Sequence, residues 1–138
     1  MGQRVDGPVV LVIDDERCIR DLFARILDCG GFFPVLADNG ETALALIRRG
    51  LNPHAILLDL KMPGMGGLGF LLKLRADPRC CTIPVAIVTG QCVLASPVHH
   101  AAELLNAQIH FKPLEMDGIL ELTARLIASP ARDQGVTG

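Results

Sequence analysis

The feature that most constrains this chain is an alternation of two hydrophobic periods. Short apolar runs rich in branched residues, Val9 to Ile13, Phe33 to Leu36, Ala55 to Leu58 and Val85 to Val88, read as buried parallel strands. A weaker run spans Ala107 to Phe111. The segments between them have helical spacing. Ile19, Leu22, Phe23, Ile26 and Leu27 form one stripe, ended by Gly30 and Gly31. Ala43, Leu44 and Ile47 form a second, closed by Gly50, and Leu68, Leu71, Leu72 and Arg75 lie on a third helix that Pro78 ends. Ser96 followed by Pro97 suits the start of a fourth helix, running through Leu105. A fifth runs from about Glu115 to Ile127, with Ile119, Leu122, Leu126 and Ile127 facing inward. Strands that alternate with helices in this way predict an α/β domain whose parallel sheet is covered on both faces.

Composition narrows what such a domain does. With 138 residues the chain fits one domain, and half of it is hydrophobic, which excludes disorder by low hydropathy. Thirteen basic against 15 acidic residues leave a net charge of −2, so there is no electrostatic footprint for nucleic acid or an anionic membrane. Trp and Tyr are absent, which disfavours a base-stacking platform. Cys18, Cys29, Cys80, Cys81 and Cys92 form no CxxC pair and have no His at ligand spacing. We therefore expect them to be buried or half-buried thiols in a reducing compartment. The start, MGQRVDGP, has no apolar signal segment, Asp6 breaks the myristoylation pattern, and no apolar run reaches the length of a membrane span. The expectation is a cytoplasmic domain over residues 8–128, with a lead at 1–7 and a frayed tail or linker start at 129–138.

In an open parallel sheet, ligands bind at the carboxyl ends of the strands. The first strand ends in Asp14, Asp15 and Glu16, the third in Asp59, the fourth in Thr89 and Gly90, and the last in Lys112 and Pro113. Each has an ordinary alternative: a helix cap for Asp14 or Asp15, a strand-end hydroxyl for Thr89, a solvated charge for Lys112. Converging on one edge, the acids repel one another unless a hard divalent cation joins them, and Mg²⁺ suits carboxylates together with phosphate oxygens. The chemistry that fits is phosphoryl transfer to a carboxylate, with Asp59 as nucleophile. Thr89 would donate to a phosphoryl oxygen, and Mg²⁺ and Lys112 would neutralise its charge.

These blocks, VLVIDDE (10–16), LLDLKMPGMGG (57–67), VAIVTG (85–90) and HFKPLE (110–115), resemble the signatures of the receiver domain of two-component response regulators. The resemblance covers about residues 8 to 128. It implies a doubly wound, five-stranded, flavodoxin-like fold with five helices. It also implies Asp59 as phospho-acceptor, Asp14 and Asp15 as the Mg²⁺ pair, Thr89 as switch hydroxyl and Lys112 as the phosphoryl-pairing lysine. The backbone carbonyl of Lys61 would complete the metal shell, Lys112-Pro113 would be a cis peptide, and Met62-Pro63-Gly64 resembles the loop after the acceptor. The partners implied are a histidine kinase or histidine phosphotransfer protein docking near the first helix. A downstream protein target would meet the face of the fourth helix, fifth strand and fifth helix, where some receivers also form homodimers.

Three positions depart from that pattern. Ile109 stands where many receivers carry an aromatic switch residue, with Phe111 just before Lys112 instead. Lys61 replaces the small, amide or acidic residue common two past the acceptor, and its ammonium would shield a phosphoryl group from water. Val93 to Ser96 and the pair His99 and His100 make the fourth helix unusual, and the histidines read as solvated. Among rival functions, a flavodoxin needs a Ser/Thr/Gly-rich phosphate loop where this chain has Asp-Asp-Glu. An aspartate-nucleophile phosphatase places Asp-x-Asp on the first strand. The serious rival is a pseudo-receiver, a binding module of the same fold that is not phosphorylated. No output region is evident after residue 128, so the readings are a stand-alone regulator, a phosphorelay carrier, or the receiver part of a larger protein.

Overall fold

Every apolar run forms a strand and every stripe a helix. The computed structural model describes residues 7–62, 64–90, 96–112 and 114–128. Its elements are β1 (Val9–Ile13), α1 (Arg17–Cys29), β2 (Phe33–Ala37), α2 (Gly40–Arg48), β3 (Ala55–Leu58), α3 (Gly66–Ala76), β4 (Val85–Thr89), α4 (Ser96–Leu104), β5 (Ala107–Phe111) and α5 (Met116–Ala128). The strands make one parallel sheet in the order β2-β1-β3-β4-β5. Pairing runs in register, with Ile13 beside both Ala37 and Leu58, and Thr89 beside Phe111. The chain leaves β1 in one direction and returns to β3 on its other side. The topological switch point therefore lies between β1 and β3, directly above Asp14 and Asp59.

Strand pleat divides the core into two layers. Leu11, Ile13, Ile56, Leu58 and Ile87 face Leu44, Phe70, Leu71 and Leu74 of α2 and α3. Val10, Val12, Leu57 and Val88 face Phe23, Ile26 and Leu27 of α1 and Ile119, Leu122 and Leu126 of α5. This buried-both-sides arrangement explains the near-continuous hydrophobicity of β1, β3 and β4. β2 departs from the expectation: as an edge strand it is only half covered, and Phe33 is 40% exposed.

Two other expectations are corrected. Leu22, a member of the expected α1 stripe, is 48% exposed. At about 100° per residue it sits about 90° from the centre of the arc formed by Phe23, Ile26 and Leu27. Cys18 and Cys29 are exposed rather than buried, because eleven residues, about three turns, bring both to the outer side of α1. Cys80 is buried and Cys81 half-buried, as expected. Expectations that fall on the lead, the tail, Cys92, Val93, Pro63, the Lys112-Pro113 peptide and the side chains of Ser96, His99 and Phe111 lie outside the described residues.

Arg75 does more than continue a helix. Its Nε donates to the Leu105 carbonyl at 2.7 Å, and its Nη1 to the Cys81 and Ile83 carbonyls at 3.0 and 2.6 Å. Nη2 reaches the carbonyl of Asn106 at 3.2 Å, where the backbone turns through φ 61. One guanidinium thus ties the end of α3 to the segment before β4 and to the turn before β5. Among the described residues no helix is long and apolar enough to cross a membrane.

Candidate functional site

The site begins where buried strands run out of apolar residues. Asp14 follows β1 and Asp59 follows β3, and the two strands are in register up to their last residues, so the two carboxylates emerge side by side. Both are buried, at 3% and 6% exposure, whereas the next residue, Asp15, is exposed. One carboxylate oxygen from each of Asp14, Asp15 and Asp59 lies within 4.8 Å of the other two. Thr89, fully buried at the end of β4, and Lys112, half-buried after β5, complete the edge. All the residues expected at the site are therefore brought to one place.

Backbone contacts hold this arrangement. Asp59 N–H donates to the Ile13 carbonyl at 2.9 Å, and Lys112 N–H to the Thr89 carbonyl at 2.8 Å, extending the sheet's bonding past the strand ends. Asp14 Oδ1 accepts from the Glu16 N–H at 2.9 Å, a turn just before the helix; the helix cap weighed for Asp14 or Asp15 is not what forms, since Glu16 is the N-cap of α1 and no side chain caps it. Arg20 reaches back from α1 to donate to the Asp14 carbonyl at 2.9 Å. Gly67 N–H donates to the Leu60 carbonyl at 3.1 Å, and a Cβ at Gly67 would lie 2.6 Å from the Asp59 carbonyl. Only glycine allows α3 to back so closely against the backbone of Asp59 and Leu60. The Arg20 and Gly67 contacts were not foreseen, because both end on backbone carbonyls that no side-chain pattern announces.

The electrostatics are under-compensated. Lys112 Nζ lies 2.9 Å from Asp14 Oδ2 and 4.0 Å from Asp59 Oδ1, so one ammonium meets two carboxylates of a cluster of three. Burial pushes the Asp59 carboxyl up to about 6, helped by the charges of Asp14 and Asp15, while Lys112 and the Lys61 backbone N–H pull it down. All-oxygen donors with surplus negative charge suit a hard divalent cation such as Mg²⁺, and Asp14, Asp15 and Asp59 are the residues that could hold it. Above them opens a cavity of about 330 Å³, lined by Asp15, Glu16, Asp59, Lys61, Thr89 and Lys112 among others. Lys61 is exposed on its rim. Carboxylates, a hydroxyl and an ammonium around one space can receive a tetrahedral anion beside Asp59. Ile109, at the aromatic-switch position, is half-buried against the α2–α4 side of the core, and His100 is exposed.

Comparison with known proteins agrees with this geometry. Residues 10–124 match the response regulator receiver domain family. A protein-glutamate methylesterase/protein-glutamine glutaminase from Anaeromyxobacter dehalogenans is 36% identical over 129 residues, covering 91% of this chain and 36% of that protein. The chain spans about a third of the length of the curated relatives it matches, 37% in the case of the phosphate regulon regulator PhoB of Pseudomonas aeruginosa. Among solved structures, a putative response regulator from Chloroflexus aurantiacus superimposes with a TM-score of 0.80 at 24% identity, covering 90% of this chain and all (100%) of that one. Chemotaxis protein CheY4 of Vibrio cholerae gives 0.79 at 23% identity, covering 87% and 98%. The match takes in β1, β3, β4 and β5 and therefore every strand end that bounds the cavity: this chain belongs to the response regulator receiver domain family of two-component signalling.

Proposed function

We propose that this receiver takes a phosphoryl group from a phosphohistidine onto Asp59 in a Mg²⁺-dependent reaction and relays it as a signal. The observation that carries this reading is the position of Asp59, buried at the floor of the cavity with Thr89, Lys112 and two further carboxylates around it. One Asp59 carboxylate oxygen attacks phosphorus, the P–N bond to the donor imidazole breaks, and the imidazole leaves with its electron pair. Lys112 holds charge on one phosphoryl oxygen, and the Thr89 hydroxyl donates to another. Asp14, Asp15, Asp59 and the Lys61 carbonyl would hold the Mg²⁺, which when bound draws charge from the phosphoryl oxygens. The donor is a histidine kinase or a histidine phosphotransfer protein. Residues 8–128 are the working unit, acting in the cytoplasm alone, in a relay, or joined to a larger protein. The signal leaves by a protein target on the face of α4, β5 and α5.

Intact-mass measurement after incubation with Mg²⁺ and acetyl phosphate tests this. One phosphoryl adduct that requires Mg²⁺ and disappears in Asp59→Asn is the expected result. With neither adduct nor Mg²⁺ binding, the domain is a pseudo-receiver that binds proteins without being phosphorylated.

A further inference from the structure

The charges of this chain are unevenly distributed along it. Between residues 42 and 102 lie six basic residues, Arg48, Arg49, Lys61, Lys73, Arg75 and Arg79, but only two acids, Asp59 and Asp77. Asp59 belongs to the site above. Asp77 spends its charge locally, with Oδ1 and Oδ2 accepting from Arg79 at 3.3 and 3.1 Å. Glu41 stands at the start of α2, Lys61 lines the site and Arg75 is spent on carbonyls, so the charge left over on the α2–α3 face is basic at the far ends of the two helices, where Arg48, Arg49 and Lys73 are exposed.

That face is grooved. α2 and α3 pack closely at their starts, where a Cβ on Gly40 would meet Met65 and Phe70 at 2.9 to 3.2 Å. Toward their ends they part, leaving two adjoining cavities of about 250 and 210 Å³ that share Ile47, Asp77 and Cys80. Leu44, Leu51 and Ile83 add apolar walls, and Arg48 and Lys73 stand exposed on opposite rims, one from each helix. Among the described residues neither has an ion pair. A cavity of about 150 Å³ already accepts a benzene-sized group, so each half has room for a leucine side chain.

We infer that this groove docks an acidic partner segment, inserting aliphatic side chains between Ile47 and Ile83 while its carboxylates meet Arg48 and Lys73. Charge complementarity selects an acidic segment, and the apolar floor selects a peptide rather than a polyanion without side chains to bury. The groove opens at the amino ends of the strands. Asn52 on its wall precedes β3 and Asp59 follows it, so the length of that strand, about 13 Å, lies between them. The contact is therefore independent of the chemistry at Asp59: it holds a partner whether or not the acceptor is charged.

The probe is a blocked hexapeptide, Glu-Glu-Leu-Leu-Glu-Glu, titrated into the full chain while methyl and amide NMR signals are followed. Saturable shifts at Ile47, Leu51 and Ile83, weakened at least about tenfold by Arg48→Glu with Lys73→Glu, are expected. Replacing both peptide leucines by serine should weaken binding comparably. Both substituted residues are exposed, and the amide spectrum reports whether the variant keeps its fold; Arg48→Ala with Lys73→Ala repeats the test without charge reversal. Equal binding of the serine peptide or of a hexathymidylate would overturn the inference in favour of an unselective basic face. Shifts at these methyls that follow protein concentration alone would overturn it in favour of a second copy. No shift at millimolar peptide would also overturn it.

Discussion

Two half-buried cations stand at opposite ends of the sheet, and they are used in opposite ways. Lys112, at the carboxyl end, meets two carboxylates of a cluster of three and leaves the cluster negative. Arg75, at the amino end, makes four hydrogen bonds that all end on backbone carbonyls. Its planar fork satisfies several fixed acceptors at once, which a lysine ammonium cannot do with the same geometry. Burial lowers the Arg75 pKa, yet an arginine stays charged at any physiological pH, so nothing there is poised to change. The lysine end is the reverse. Its charges do not balance, and one carboxyl is lifted to about 6, so binding a cation or a phosphoryl group changes its state. A closed network gives rigidity and an open one gives chemistry.

Breaking the closed end should have the largest effect. Arg75→Met leaves the carbonyls of Leu105 and Ile83, now 2.6 to 2.7 Å from the guanidinium, without that donor. A loss of about 3 kcal/mol, or roughly 10 °C in Tm, is expected in urea and thermal unfolding. Arg75→Lys should recover less than half. Full recovery by lysine would show that charge, not the fork, matters there. If Asp59 takes up a phosphoryl group as proposed, uptake well below the lowered Tm should persist, because Arg75 does not line the cavity above Asp59.

The open end should respond with the opposite sign. A carboxyl raised from 3.8 to about 6 on folding binds more protons in the native than in the unfolded state across that window. Stability of the metal-free protein therefore falls as pH rises from about 4 to 6, and the full penalty remains above it. Asp59→Asn removes the penalty. Without divalent cations it should be more stable than wild type by about 1–2 kcal/mol at pH 7, after allowance for solvent screening, and equal to it near pH 4. Urea titrations of both proteins at the two pH values measure the difference. A variant no more stable at pH 7 than at pH 4, relative to wild type, would show that the carboxylates are not strained. Excess Mg²⁺ should narrow the gap by stabilising wild type more than the variant.

The two ends also differ in how much of each was legible in the sequence. Strand ends are marked by the abrupt change from Ile13 to Asp14, Leu58 to Asp59 and Val88 to Thr89, and parallel register then brings those residues together. The site is thus written in side chains. What escaped was the division of labour between adjacent acids, Asp14 turned in and Asp15 turned out, which only the strand's pleat decides. The clamp at Arg75 is written in backbone. Its acceptors are carbonyls of Cys81, Ile83, Leu105 and Asn106, far from it in sequence except for the first two, and every residue type offers a carbonyl. Helix faces were legible only at their centres: Phe23 and Ile26 are buried, but Leu22 at the margin is not.

Lys112→Met sharpens the comparison from the other side. Removing the ammonium 2.9 Å from Asp14 should cost about 1 kcal/mol in metal-free stability, since two buried carboxylates lose their nearby cation. The same change removes a charge that repels a divalent cation, so Mg²⁺ should bind more tightly, by up to about tenfold. Calorimetric titration is the suitable measurement, because the chain has no Trp to report binding by fluorescence. Unchanged Mg²⁺ affinity would place the bound cation away from the Asp14–Lys112 pair.

The smallest effect is expected at Lys61, on the rim of the same cavity. Its side chain is exposed, so Lys61→Ala should leave stability within about 0.5 kcal/mol of wild type. The backbone N–H that supports Asp59 is kept by alanine, which isolates the ammonium. If that ammonium lies over the phosphoryl oxygens, it both offsets their charge and occupies the approach of an attacking water. The phosphorylated Ala variant should then hydrolyse a few times faster than wild type, followed as decay of the intact-mass adduct after the donor is removed. Lys61→Arg, which keeps the charge, should decay at nearly the wild-type rate. Equal lifetimes in all three proteins would mean that Lys61 contributes its backbone alone, and that Lys112 is the cation that governs how long the signal lasts.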